Sequence, residues 1–246
     1  MSQGNVAIEN IGSVISAAID VLAEANPDDP ETGERAHSVR YALVKFVNLA
    51  VSVSSDGTQV NIDGDSMPMG SADDIEVVGN QLLRATTGLV ADLETAGFLE
   101  ELKQLHHAVA GLAVSIARFG AKLESLEPVA NSFAALADET HEPARLATLG
   151  YLIEEALTAS SPGVESGIEP AESSRLMHIA LGSVSIRSHD TELMECAFDR
   201  MAQHMPADLP AFLREAVVEM EQAGHPDEVK AVIRAYHERH IPRTIR

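Results

Sequence analysis

The chain has 246 residues, 45% of them apolar, enough for one large or two small domains with a sizeable core. Its 38 acidic residues outnumber 17 Lys and Arg, and a formal charge of −21 excludes general binding to a phosphate backbone, because the chain repels a polyanion. The opening MSQGNVAIEN has no cationic stretch ahead of an apolar one, and the run Ala108 to Ala117 is far shorter than the roughly 20 residues of a membrane span, so a soluble cytoplasmic protein is expected.

The first helix is expected over about residues 7–25, where Ile8, Ile11, Val14, Ile15, Ala18, Ile19 and Leu22 form one stripe. Pro27 and Pro30 stop it, since each removes an amide donor and drives its predecessor out of the helical region. A second helix near 36–50 carries Val39, Leu43, Val44, Phe46, Val47 and Ala50. The apolar period then falls to two: Val51 and Val53, the turn-forming Ser55-Asp56-Gly57, then Val60 and Ile62, which predicts a short β-hairpin. A lone hairpin is marginal in water, so Leu89 to Leu93 is assigned as a third strand, reached through a helix near 72–86.

Phe98, Leu102, Leu105, Val109, Leu112, Ile116, Phe119, Leu123 and Leu126 follow in alternating steps of four and three, which predicts one long central helix ended by Pro128. Its flanks are small (Ala108, Gly111, Ala113, Ala117, Gly120) where a solvated coiled coil would place charges, so other helices or a second subunit should bury it. Helices near 142–159, 171–187, 191–205, 209–223 and 226–240 complete the chain, with Ser160 to Pro170 as the longest loop. Leu193 to Pro206, Leu213 to Pro226 and Val229 to Pro242 share one spacing, each with a histidine one or two places before the proline. The expected fold is therefore mainly α: a helical domain at 1–127 with a two- to three-stranded hairpin, and a stacked-helix domain at 128–246.

The order of Asn26-Pro27 to Pro30, Val60-Asn61-Ile62-Asp63-Gly64, Leu89 to Leu93, Gly97 and Glu100-Glu101-Leu102 resembles an accessory module of bacterial proteins that carry HEAT-type repeats or HD-GYP domains. The resemblance spans about residues 6–110 and implies an interaction module without catalytic residues; the HD-GYP phosphodiesterase signature is absent. The C-terminal half resembles generic HEAT- or TPR-like helical arrays.

Ten histidines raise the question of a metal centre. His178 with His189-Asp190 is the nearest approach to an HD-type phosphohydrolase ligand set, but the pair falls between helices, where Asp190 or Thr191 more naturally caps the next helix. His237 and His240, one helical turn apart, could share an ion, yet two ligands do not make a zinc site. His204, His225 and His240 fall in or just past last helical turns, where an imidazole can bond free carbonyls. The adjacent His106 and His107 are placed on the polar edge of the long helix, at a surface or interface. Asp56, Asp63, Asp65, Asp73, Asp74 and Glu76 are the densest carboxylates, but Met67 falls where an EF-hand loop needs an oxygen ligand. Cys196, the one cysteine, sits among Leu193, Met194, Ala197 and Phe198, which reads as a buried, unreactive thiol.

Residues 229–246 are basic, with Lys230, Arg234, Arg239, Arg243 and Arg246 against Glu238 alone. The basic end has an intramolecular target in the acidic body of the same chain, on which it is expected to pack; the alternative is that it captures an acidic partner. The expected function is a non-catalytic interaction or adaptor protein without cofactor that binds a protein partner through Arg239, Arg243 and Arg246. Leu105, Leu112 and Phe119 of the long helix are the expected homo-oligomer contacts. The alternatives are a metal-dependent HD-type phosphohydrolase and a small-ligand sensor with a pocket between helices.

Overall fold

At some helix starts a side chain takes up the orphan amides. In the computed structural model, which describes residues 3–27, 29–54, 71–160, 172–222 and 224–241, the elements are α1 (Gln3–Ala25), α2 (Pro30–Ser54), α3 (Ala72–Ala96), α4 (Leu99–Arg118), α5 (Glu127–Glu139), α6 (Pro143–Ala159), α7 (Glu172–Ser188), α8 (Thr191–His204), α9 (Leu209–Gln222) and α10 (Asp227–His240). Asp29 accepts from the Glu31 and Thr32 amides to start α2. Ser71 and Asp74 form a reciprocal capping box on α3, and Asp190 accepts from the Leu193 amide at the start of α8. Among the described residues no helix is long and apolar enough to cross a membrane.

The chain divides into two compact units, Met1–Ser132 and Phe133–Arg246, with the division inside α5. In the first, α1 packs on α2 and α4, and α3 packs on the same two helices, which closes a ring of four. The run of neighbouring helices is antiparallel, since Arg35 near the start of α2 pairs with Asp92 near the end of α3, and Asp20 late in α1 pairs with Arg40. Ile15, Ile19, Leu22, Phe46, Leu82, Leu105 and Leu112 fill the centre, each worth about 1.5–3 kcal/mol on burial. In the second unit α6 packs on α7, α7 on α8, α8 on α10 and α10 on α9.

Two expectations are corrected. The hairpin is not formed by Val51 to Ser54, which continue α2, nor by Leu89 to Leu93, which lie inside α3; Val60 to Ile62 and the turn before them fall outside the described residues. Once a helix is running, each added residue gains one bond for one residue fixed, so four alternating residues cannot redirect it. Ser52 Oγ donates to the Leu49 carbonyl at 2.7 Å, and Leu89 and Leu93, four apart, are both buried on the inner face of α3.

The long central helix is also broken. α4 ends at Arg118, Gly120 turns left-handed with φ of 77°, and Ala121 to Leu126 run as a connection before α5 begins. In that connection Ala121 and Leu123 are buried while Lys122 and Glu124 are exposed, an alternation that happens to keep the step from Phe119 to Leu126 in phase with the helix before it. Pro128 opens α5 instead of closing α4, for at the second position of a helix its missing amide leaves nothing unpaired.

Asn80, 1% exposed on α3, holds this connection in place. Its amide nitrogen donates to the Lys122 and Glu76 carbonyls, both at 2.8 Å, and its carbonyl accepts from the Glu124 and Ser125 amides at 2.9 and 3.3 Å. The Glu76 carboxylate accepts from the Lys122 amide at 2.8 Å, so one turn of α3 carries most of the segment's polar bonds.

Candidate functional site

The sequence-derived metal candidates do not converge. His178 is fully buried, with Nδ1 2.8 Å from the Ser174 carbonyl and its ring 5.4 Å from that of His204. Asp190 serves as the α8 cap with one oxygen and accepts from the Tyr151 hydroxyl at 2.9 Å with the other, which pushes the Tyr151 phenol above its usual range. His189 is exposed and pairs with His225, its Nε2 3.2 Å from His225 Nδ1. On α10, His240 stacks on Tyr236 with ring centres 6.0 Å apart, and His237 is half-buried. Among the described residues no three His, Cys, Asp or Glu side chains are grouped so as to hold a metal ion.

Leu105 and Leu112 are fully buried within the first unit, and Phe119 is half-buried. Of the small residues that flank them, Ala108 and Ala113 are buried and a Cβ on Gly111 would stand 3.3 Å from Ile11 Cδ1, whereas Gly120 is exposed. His106 is half-buried, with Nδ1 3.1 Å from Ser132 Oγ. Arg239 lies with its guanidinium 4.9 Å from the centre of the Tyr236 ring, while Arg243 and Arg246 fall outside the described residues. Of the acidic cluster, Asp73 and Asp74 occupy the first turn of α3, and Asp56, Asp63 and Asp65 fall outside the described residues. Cys196 is exposed, which corrects the buried reading: its neighbours Leu193, Met194, Ala197 and Phe198 all face inward, and the helix turns the thiol away from them. The thiol is nonetheless raised above its usual range, by partial desolvation first and by the Glu154 carboxylate second.

What the second unit does present is a groove of about 290 Å³ between α7 and α9, closed at one side by the end of α5. Its apolar lining is Ile179, Ile186, Phe212 and Ala216, and Asp138, Glu215 and Glu219 supply three carboxylates. Ile179 is 38% exposed, an unusual position for a large aliphatic side chain. Gly182 sets the spacing of the walls, because a Cβ there would stand 2.7 Å from Phe212 Cζ. Arg187, the one cation lining the groove among the described residues, turns its guanidinium to the end of α5 and donates to the Ala137 and Thr140 carbonyls at 2.8 and 2.5 Å, where the negative end of the helix dipole favours it.

None of these groove residues stands out in the linear chain. The signal present is that α7 carries apolar residues on nearly all sides, with Met177, Ala180, Leu181 and Val184 facing the core and Ile179 outside it. Comparison with protein-family models, with curated proteins and with solved structures finds no match to this chain.

Proposed function

We propose that this chain is a non-catalytic interaction or adaptor protein of the cytoplasm whose α7–α9 groove receives a cationic amphipathic segment of another protein. The observation that carries this is the groove's chemistry: a partly exposed apolar floor, three carboxylates around it, and an arginine already committed to the carbonyls of α5. Ile179 and Phe212 give an incoming aliphatic or aromatic side chain something to bury against, which is where affinity concentrates in an interface. Asp138, Glu215 and Glu219 favour Lys or Arg beside that anchor, and the formal charge of −21 steers such a segment inward. The resemblance of the C-terminal half to helical arrays points the same way, since such stacks present grooves between successive helices.

Selection from a displayed peptide library against the full chain tests the proposal. Enriched sequences should carry Lys or Arg flanking one large apolar residue. The double variant Glu215→Lys, Glu219→Lys, altered only on exposed positions of α9, should bind them at least about tenfold more weakly, a change of about 1.4 kcal/mol. Enrichment of acidic peptides, or equal binding by the variant, contradicts it.

A further inference from the structure

The corner between α7 and α8 is joined to the turn between α9 and α10 by a pair of imidazoles. His189 Nε2 lies 3.2 Å from His225 Nδ1, and the rings meet edge to face with centres 5.3 Å apart. His189 is the one non-glycine residue with positive φ, 61°, among the described residues, and it stands directly after Ser188 where a left-handed residue closes α7. His225 is 9% exposed, and its Nε2 is buried without a hydrogen-bond partner. Neither ring lines the groove, but each follows a helix that forms one of its walls: His189 comes directly after α7 and His225 shortly after α9.

We propose that the His189–His225 pair is a proton-operated latch that fastens the α7–α8 corner to the α9–α10 turn and opens on acidification. A bond between two ring nitrogens needs one N–H and one lone pair, which two neutral imidazoles provide. A proton added to His225 lands on Nε2 as a charged donor without an acceptor. A proton added to His189 at Nε2 removes the lone pair that His225 Nδ1–H requires, unless His225 shifts its own hydrogen to the same buried Nε2. Either addition therefore costs the pair its bond or leaves a buried donor orphaned. The groups facing His225 divide: burial, then His189, and Lys230 from α10, disfavour its charged form, while Glu219 from α9 favours it. Burial is the largest, so the ring is held below the usual imidazole range. Asp190, next to His189, has both carboxylate oxygens engaged, by the Leu193 amide and the Tyr151 hydroxyl. The sign is then fixed: the folded corner binds fewer protons than the open one, so the latch is closed above the free imidazole value of about 6.5 and is lost as pH falls below it. Because the latch ties together the two walls of the groove, an effect on partner binding rests on the groove reading above, whereas the latch itself does not.

Imidazole titration by NMR and amide hydrogen exchange on the full chain, at about pH 7.5 and about pH 5, test it without any partner, so a failed peptide selection and a failed latch are told apart. His225 should titrate below about 6.5, and protection of amides near 186–193 and 225–233, corrected for intrinsic rates, should fall at least about fivefold on acidification. In His225→Phe those amides should be as weakly protected at the higher pH as at the lower. His189→Gly, which also relieves the left-handed backbone, should behave likewise and serves if the phenylalanine variant does not fold. Protection that does not change with pH in the parent chain, the same pH dependence in the variants, or titration of His225 at or above the free value overturns the latch.

Discussion

Replacing Asn80 with alanine is expected to cost about 2–4 kcal/mol of folding free energy, because it leaves the Lys122 carbonyl and the Glu124 and Ser125 amides without their partner. The bonds lost are individually ordinary. Their sum is large because one side chain, 1% exposed, serves a stretch of backbone that has no helix ladder of its own. Lys122 and Glu124 are exposed, so water can reach part of the freed backbone, which keeps the expected cost near the middle of that range. Asn80→Asp should do no better than alanine, since it trades the donor for a carboxylate oxygen aimed at the Glu76 and Lys122 carbonyls. Urea unfolding of the full chain reads the effect as a lowered midpoint. A loss below about 1 kcal/mol would mean that Leu123 and Leu126 alone hold the connection.

Phe198→Ala should destabilise the second unit by about 3–5 kcal/mol, the usual range for deleting a buried aromatic ring. Phe198 is fully buried on α8, and its ring meets Phe212 of α9 at 6.0 Å and Tyr236 of α10 at 5.1 Å, both edge to face. Tyr236 is further tied to α8 by donating its hydroxyl to Asp199 at 2.7 Å, and burial with that carboxylate pushes its phenol up to about 12. Removing Phe198 therefore loosens α8, α9 and α10 together. It also withdraws support from Phe212, so a cationic peptide should bind more weakly even where the variant is still folded. Phe198→Leu, which keeps most of the buried volume, should lose less than half as much. Thermal unfolding followed by helix circular dichroism measures both, and equal losses from Ala and Leu would show that the ring pairing, not volume, dominates.

The helices were legible because a half-buried helix must repeat its apolar residues every three or four positions, as α1 does at Ile8, Ile11, Ile15, Ala18, Ile19 and Leu22 and α10 at Val229, Ile233 and Tyr236. The two misread segments have different causes. Val51 to Ser54 alternate, but a four-residue alternation has too little length to oppose a helix already propagating from Pro30. The run from Phe98 to Leu126 keeps helical spacing through its own break, because the connection after Gly120 buries alternate residues. Gly120, turned left-handed, closes α4 locally, but what holds the connection after it is Asn80, some forty residues earlier, and no local pattern can display a partner brought in by folding. The groove was illegible for a similar reason. Ile179, Phe212 and Glu219 come from different helices, and only the close approach permitted at Gly182 makes one surface of them. Asp190 as the α8 cap was the one site reading that local chemistry could carry, since a cap and its amide are three residues apart.

The most direct measurement is an NMR titration of the isotope-labelled full chain with a peptide bearing Lys or Arg around one large apolar residue. The account predicts shifts concentrated at Ile179, Ser183, Ile186, Phe212, Glu215 and Glu219, weakening with added salt as exposed charge pairs do. Shifts centred on α1 to α4, or a saturable complex that leaves the α7–α9 groove unperturbed, would contradict it.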